Sequence, residues 1–398
     1  MTLRRIAAPA LAAVAALWAA STFLGVFDLT KFQWDFRTYY FAVKVFAAGG
    51  DPYAVEAVAR AATVPITLPF VYPPTALYFF KIFSFLSFEH SAHLYVLCKF
   101  AAFGALIWLW RKFFVRERAG LLFVVVAALA FDQSLYADFA SGNPALFETL
   151  FLWIGFACFM KKDLAGFCVC VLAASFIKIQ PILLLPLVFT VKHKRRTAIF
   201  AVSAAVFVGV FASFAIFEPQ LWRGFVRNIA ESNTSILLFE NGRINPSSFA
   251  FLEHLFWLFR LATGADMPVW LRALTHEAFI VLVLWAAGRA LFRSYRRSPE
   301  PTPDRLYLYL LTYALILPRF KDYSYSLLIV PAWEAVRRLG TRHDNRPIWI
   351  AVLVLTATSP VRAALPAIRV FWEYYPFILA FGMWCFYLNE INSDTADV

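Results

Sequence analysis

Long apolar runs, separated by short basic clusters, dominate the chain. The first run covers 6–27, about 22 residues, and follows Arg4 and Arg5. At about 1.5 Å per helical residue, a run of this length crosses a hydrocarbon core of about 30 Å. It is also longer than the apolar region of a usual signal peptide. The pattern therefore predicts a retained first membrane span with the amino terminus in the cytoplasm.

Later basic clusters orient the remaining runs, because cytoplasmic loops collect Lys and Arg near the ends of membrane spans. These clusters fall at 111–118, 161–162, 192–196, 293–297 and 337–346. Placing all of them in the cytoplasm predicts about twelve spans with both termini inside. After the first span, the predicted spans lie near 93–110, 119–136, 144–160, 164–191 (a hairpin of two short spans with a polar tip), 197–217, 271–292, 305–319, 323–336, 347–364 and 370–388.

Two longer segments, 28–91 and 218–270, are then extracytoplasmic. In the first, apolar residues recur at helical spacing over 35–48, which predicts a helix that lies on the membrane surface. The apolar run 75–88 is too short for a span and predicts a second surface helix. In the other segment, 249–261 is expected at the interface. With no appended soluble domain and no internal repeat, 1–398 is predicted to be one all-α polytopic domain.

Composition supports this class. Hydrophobic residues make up 61% of the chain and charged residues 16%, against roughly 45–50% and about 25% in soluble domains. A soluble enzyme is therefore excluded. The net charge of +12 lies in short clusters between apolar runs, so it indicates topology and not a nucleic-acid partner. The five cysteines lie in apolar runs without metal-site spacing, so neither a disulfide nor a metal is expected.

Several polar residues stand out against this apolar background. Asp35 begins the predicted helix 35–48, where the helix dipole stabilises a carboxylate by roughly 0.3–1 kcal/mol; this structural role and a catalytic role are both open. Asp51 is the second acidic candidate for a functional role, and the alternative is a structural role in an Asp-Pro turn. Glu148, within a predicted span, is expected to pair with a basic neighbour. His254 and His276 are either interfacial or assist a substrate.

Four basic residues lie on the predicted outer side near apolar surface. Lys178 lies close to Pro181, halfway along a hydrophobic stretch, where topology gives no reason for a charge; the alternative is that it snorkels to the interface. Arg319 and Lys321 are either an interfacial anchor or ligands for an anion. Arg243 lies in the second outer segment.

The order of several short motifs resembles a known family. The motifs are Asp35 after the first span, the pair Tyr39-Tyr40, Gly50-Asp51-Pro52-Tyr53, Tyr72-Pro73-Pro74, Ser141-Gly142-Asn143, Ile177-Lys178 with Pro181, Asn245, and Pro318 to Tyr323. In their order the chain resembles the polyprenyl-phosphate-sugar-dependent glycosyltransferases of the C-type fold, and most of all glycosyltransferase family 87. Asn143 stands where the family usually has Gln.

The resemblance implies a reaction and a set of site residues. Asp35 matches the base that takes the proton of an acceptor hydroxyl, and a single displacement with inversion follows. Lys178, Arg319, Lys321 and Arg243 are candidates to bind the leaving phosphate. The remaining candidates, for substrate contacts, are Tyr39, Tyr40, Asp51, Tyr53, Tyr72, Asn143, Gln180, Asn245, Asp322 and Tyr323.

The implied substrates are a polyprenyl-phosphate hexose, with mannose favoured, and a glycolipid or glycan acceptor. The implied location is the extracytoplasmic face of the bacterial plasma membrane, without a cofactor. A transporter or lipid flippase would also have about twelve spans with polar breaks. The concentration of polar residues in one outer segment favours the enzyme. A ligase for a diphosphate-linked oligosaccharide is a third candidate.

Overall fold

The computed structural model describes residues 17–62, 66, 68–115, 120–239, 242, 244–343, 346–354 and 372–393. Over these residues the chain is all-α, with short 3-10 segments and no strand. In chain order the helices are α1 (Leu17–Phe27), α2 (Trp34–Ala47), α3 (Val55–Ala61), α4 (Pro74–Lys81), α5 (Phe88–Phe113), α6 (Leu121–Ser141), α7 (Ala145–Met160), α8 (Leu164–Ile177), α9 (Arg196–Phe217), α10 (Pro219–Phe239), α11 (Ser248–Thr263), α12 (Val269–Arg297), α13 (Pro303–Ile316), α14 (Ile329–His343), α15 (Arg346–Val354) and α16 (Tyr375–Ser393).

The prediction of about twelve full spans is wrong for the described residues. Four helices there are long and apolar enough to cross a membrane, namely α5, α6, α9 and α12. They coincide with the predicted spans 93–110, 119–136, 197–217 and 271–292. The first half of the first predicted span, 6–16, and 355–364 of the predicted span 347–364 lie outside the described residues; the second half of the first span is helix α1.

Two other predicted spans, 144–160 and 305–319, are helices at nearly the predicted bounds but are too short for a full span. The predicted span 370–388 corresponds to α16, which has 19 residues but is not among the four membrane-spanning candidates. Helix α7 has 16 residues and α13 has 14, which correspond to about 24 Å and 21 Å of helix. Over 323–336, a 3-10 helix (Asp322–Leu328) precedes α14. Sequence hydropathy counts apolar residues and does not detect where the backbone changes direction.

The predicted hairpin at 164–191 is present as two short helices that pack on each other. These are α8 and the 3-10 helix Gln180–Thr190. Lys178 ends α8 in an extended conformation, and Pro181 begins the 3-10 helix. The break in the apolar run therefore places Lys178 at the tip.

Basic clusters meet at one end of the helix bundle, as the charge pattern predicts. The Lys161 ammonium lies 4.6 Å from the ring centre of Phe113. Lys162 pairs with Glu300, and the Lys192 backbone N–H donates to the Pro299 carbonyl at 3.0 Å. The loops at 113, 161, 192 and 299 thus lie together.

Two hydrophobic clusters form the core. The larger fills the helix bundle, where Trp110 and Trp153 pack edge to face at 6.0 Å. The smaller joins α2 and α4 to the loops around them and to α5 and α10. The segment 28–91, which the sequence predicts to be extracytoplasmic, therefore contributes most of a second core that lies against the bundle.

Helix α2 belongs to this smaller core, and the prediction that it lies on the membrane surface is not confirmed. Phe36, Tyr40 and Val43 of its apolar pattern are buried inside the protein, and Thr38 and Tyr39 are buried too. Gly49 follows the helix with φ of +78°, a conformation that glycine adopts without strain. The second predicted surface helix is α4, and Ile82 and Phe85 just after it are exposed.

Candidate active site

A cavity of about 540 Å³ lies where the smaller core meets the helix bundle. The start of α2, the loop before α4, the turn after α6, the tip after α8, helix α10 and the segment 317–324 surround it. The polar side chains that line it are Asp35, Thr38, Tyr39, Tyr72, Asn143, Glu148, Lys178, Gln180, Tyr313, Arg319, Lys321, Tyr323 and Ser324. Most of the predicted site residues thus come together from distant parts of the chain.

Asp35 is half-buried at the cavity wall and is oriented by one amide. The Asn143 side-chain N–H donates to Asp35 Oδ2 at 2.8 Å. The same amide nitrogen lies 2.9 Å from the Tyr72 hydroxyl and 3.3 Å from that of Tyr39. Asn143 therefore links the carboxylate to both phenols.

The two phenols are neutral donors at physiological pH. The Tyr39 hydroxyl lies 3.0 Å from that of Tyr72. Burial raises the pKa of Tyr72 to about 12 and, together with nearby Asp35, raises the pKa of Tyr39 well above its usual range. Both groups keep their protons and can donate to a bound hydroxyl or oxyanion.

The turn formed by residues 138–143 places the Asn143 side chain next to Asp35. Gly142 ends α6 with φ of +74°, and the N–H groups of Gly142 and Asn143 both donate to the Asp138 carbonyl. The Asn143 Oδ1 atom accepts from the Ala145 N–H at 3.2 Å. This bond leaves the amide N–H group to face the cavity.

Lys178 and Glu148 form an ion pair in another part of the cavity wall. Their Nζ and Oε2 atoms are 3.1 Å apart, and each side chain is 13% exposed. Lys178 is therefore the basic partner that the sequence predicts for Glu148. Lys178 also lies 4.8 Å from the ring centre of Tyr323 and 6.0 Å from that of Tyr72. Its position needs no snorkelling, because it pairs with a carboxylate inside the protein.

Arg319 and Lys321 also line the cavity, where both are half-buried. Together with Lys178 they give this wall three cationic side chains from two separate elements. Such a wall suits an anionic group such as a phosphate, which Arg binds with two parallel donors and Lys binds as a point charge.

Five predicted residues do not line the cavity and instead support its wall. The Tyr40 hydroxyl donates to the Leu86 carbonyl, and that of Tyr53 donates to the Tyr72 carbonyl. Asn245 lies 3.5 Å from the Pro318 carbonyl. The contacts of Tyr53 and Asn245 hold Tyr72 and Pro318, which line the cavity, whereas Tyr40 anchors the loop after α4.

Both remaining carboxylates have structural roles. Asp51 accepts the Tyr53 N–H at 2.9 Å and lies 3.7 Å from Arg227, as its turn position predicts. Asp322 accepts the Tyr323 N–H, and burial raises the pKa of Asp322 to about 7. Arg243 lies outside the described residues.

Neither histidine lies in the cavity. His276 bonds to Glu253 at 3.0 Å between α12 and α11, and His254 lies near Glu373. Glu148, by contrast, lines the cavity but is absent from the predicted set of site residues. A carboxylate inside an apolar helix is itself a signal of function, and it could have identified this residue.

The fold and the cavity define an integral membrane protein with a polar, substrate-sized site next to its apolar helices. The model of glycosyltransferase family 87 matches residues 70–318, more than half of the chain. The chain therefore belongs to glycosyltransferase family 87, and it is a membrane glycosyltransferase. Comparison with curated proteins and with solved structures gives no significant match.

The matched region covers part of the site. Tyr72, Asn143, Glu148 and Lys178 lie inside residues 70–318. Asp35 precedes this region and Arg319 follows it. The tertiary structure joins these flanking residues to the matched ones in a single cavity.

Proposed function

We propose that the protein transfers a hexose from a polyprenyl-phosphate donor to a glycolipid or glycan acceptor, on the extracytoplasmic side and with inversion. Mannose is the hexose that the family resemblance favours. The observation that carries the proposal is one cavity that holds a half-buried carboxylate, Asp35, together with three cationic side chains. A base and an anion site are the two parts that this reaction needs.

Asp35 acts as the general base. It takes the proton of the acceptor hydroxyl while the hydroxyl oxygen bonds to the anomeric carbon and the bond from that carbon to the phosphate oxygen breaks. General bases of this kind contribute typically about 10²–10⁴-fold. The hydrogen bond from Asn143 to Asp35 Oδ2 orients the carboxylate.

Lys178, Arg319 and Lys321 stabilise the negative charge that develops on the leaving phosphate. Preorganised cations act strongly here because their positions are set before the reaction begins. Glu148 holds Lys178 in the absence of substrate. When phosphate binds, Lys178 shares its three donors between Glu148 and the phosphate oxygens.

Apolar side chains complete the cavity and suit a polyprenyl chain. They come from the loop before α4 (Leu68, Val71), from α10 (Phe225, Ile229) and from Leu317. An isoprenoid carrier gains free energy by burying its hydrocarbon against such a wall. The polar and apolar sides of the cavity therefore match the two halves of the donor.

Transfer by purified protein tests the proposal. The protein is incubated with radiolabelled polyprenyl-phosphate mannose or glucose and a crude lipid extract, and the products are separated by chromatography. We expect label to move to an acceptor with wild type and not with Asp35→Asn. Asp51→Asn is the matched control, since Asp51 lies in the same outer segment but not at the cavity. Label that remains on the donor with wild type, or equal transfer by Asp35→Asn, would contradict the proposal.

A further inference from the structure

A buried ion pair lies next to the turn that carries Asn143 but does not line the cavity. Lys99 of α5 and Asp138 of α6 are 2.9 Å apart, and neither side chain is exposed. Moving each ion out of water costs several kcal/mol, and an apolar pair of the same size is often as stable or more stable. Stability alone is therefore a weak reason for this pair.

The pair fixes the turn 138–143. The Lys99 ammonium donates to the Asp138 backbone carbonyl as well as facing its carboxylate. That carbonyl oxygen also accepts the N–H groups of Gly142 at 3.1 Å and Asn143 at 3.2 Å, and the Ser141 hydroxyl at 3.3 Å. The Asp138 carbonyl oxygen thus accepts three hydrogen bonds from the turn. Lys99 contacts the same oxygen and holds it in place.

Turn 138–143 contacts the start of α2 at Asp35 itself and at Gln33, two residues before it. Asn143 bonds to the Asp35 carboxylate. Gln33, the residue before α2, donates its backbone N–H to the Ala140 carbonyl at 2.8 Å and its side-chain amide to the Phe139 carbonyl at 2.6 Å. Both the start of α2 and the carboxylate that it carries are therefore set by this turn.

We propose that Lys99 and Asp138 are positioning residues, which hold turn 138–143 so that Asn143 and Gln33 place the Asp35 carboxylate for proton abstraction. The role rests on the proposed function of Asp35. Its physical basis is the sensitivity of catalysis to geometry, since a misplacement of about 1 Å can cost about 10²-fold in rate. The pair can provide such precision because both side chains are fully buried and the Lys99 ammonium contacts both the carboxylate and the backbone carbonyl of Asp138.

The test replaces both charges together. Lys99→Met with Asp138→Asn keeps similar volumes and leaves no unpaired buried charge, so the protein is expected to fold. Transfer kinetics are measured with polyprenyl-phosphate mannose, and thermal unfolding is recorded in parallel. We expect kcat to fall by about 10–100-fold, the donor KM to change by less than about twofold, and the unfolding temperature to stay near that of wild type.

A second ion pair serves as the matched control. Arg338 and Asp304 are 2.7 Å apart and partly buried, and neither lines the cavity or contacts the turn. Arg338→Met with Asp304→Asn should leave kcat unchanged. If the first double variant fails to fold, Asp138→Glu keeps both charges and shifts the carboxylate by one methylene, and a smaller loss confined to kcat is expected.

The outcomes separate this role from the proposed function. If wild type transfers sugar and the folded double variant has the same kcat as wild type, the positioning role is overturned and the proposed function is not. A loss that appears in KM, or in parallel with the unfolding temperature, would assign the pair to stability and also overturn it. Wild type without transfer would overturn the proposed function and this role with it.

Discussion

At the scale of single residues, the site depends on a few polar atoms whose partners come from remote positions. Asn143 connects Asp35, Tyr39 and Tyr72 through one amide nitrogen. Its own oxygen is occupied by the Ala145 backbone, so the amide cannot flip without losing bonds on both sides. A carboxylate held in this way has little rotational freedom.

Asp35→Asn tests whether this carboxylate is a base. Asn has nearly the same shape but no basic oxygen, so turnover is expected to fall by about 10²–10⁴-fold. Donor affinity should change little, because the lost interaction belongs mainly to the transition state. Single-turnover transfer and donor binding are measured separately. If Asp35 only began a helix, Asn would replace it without effect, and wild-type turnover would show this.

Lys178→Ala tests the anion site. Donor affinity is expected to fall at least tenfold, because a charge-assisted hydrogen bond contributes about 1.5–3 kcal/mol. Lys178→Arg should retain part of the affinity, since the charge remains on a differently shaped group. Lys162→Ala, whose side chain pairs with Glu300 at the opposite end, is the control. Wild-type donor binding by Lys178→Ala would remove this residue from the phosphate site.

At the scale of elements, the cavity is built where helices begin and end. Asp35 lies in the first turn of α2, Asn143 follows α6, and Lys178 ends α8. Helix ends expose backbone groups and allow side chains to leave the helix axis, so polar groups from several elements can converge there. Each of these helices must therefore begin or end at a defined residue for the polar groups to meet.

Gly142→Ala tests one of these stops. Gly142 has φ of +74°, and a Cβ atom there would lie 2.6 Å from Gln33 Oε1 and 2.8 Å from Phe36 Cβ. The conformation alone costs about 1–2 kcal/mol for a residue with a side chain, and the clash pushes α2 away from the turn. We expect turnover to fall more than tenfold and the unfolding temperature to fall.

Gly288→Ala is the control for this change. Gly288 lies within α12, and a Cβ atom there meets nothing within 4 Å. It should leave transfer unchanged and the helix equally or more stable, because Ala favours helix by about 1 kcal/mol over Gly. Equal turnover in Gly142→Ala and Gly288→Ala would show that the turn does not position Asp35.

At the scale of the whole molecule, the cavity lies between two hydrophobic clusters. The bundle core supplies Lys178 and Glu148 from α8 and α7, and the smaller core supplies Asp35 and Tyr39 from α2. The basic clusters lie together at one end of the bundle. The charge rule assigns that end to the cytoplasm.

Cysteine labelling tests this orientation. In a cysteine-free background, single cysteines replace the exposed residues Asp51 and Arg223 in the outer segments, and Lys162 and Lys194 in the basic clusters. A membrane-impermeant reagent added to intact cells should label the first two. The other two should react only after the membrane is opened. Labelling at position 194 from outside would overturn the layout.

The class of protein, the main apolar helices and many residues of the cavity could be predicted from the sequence. Hydropathy and charge are summed over many residues, so a prediction based on them changes little when a helix end is misplaced by a few residues. Asp35, Asn143 and Lys178 stand out because polar groups in an apolar chain are costly and have to be explained. Membership of glycosyltransferase family 87 confirms the class.

Tertiary structure alone decided which polar groups meet and where the run 323–336 changes from a 3-10 helix to α14. Helices α7, α8 and α13 have 14 to 16 residues, and their bounds lie close to those that the sequence predicts. The burial of α2 on both sides depends on partners more than 30 positions away, as in the bond between Tyr39 and Tyr72. Lys178 with Glu148, and Lys99 with Asp138, pair across helices. Such pairs depend on three-dimensional distance, and sequence spacing carries no information about it.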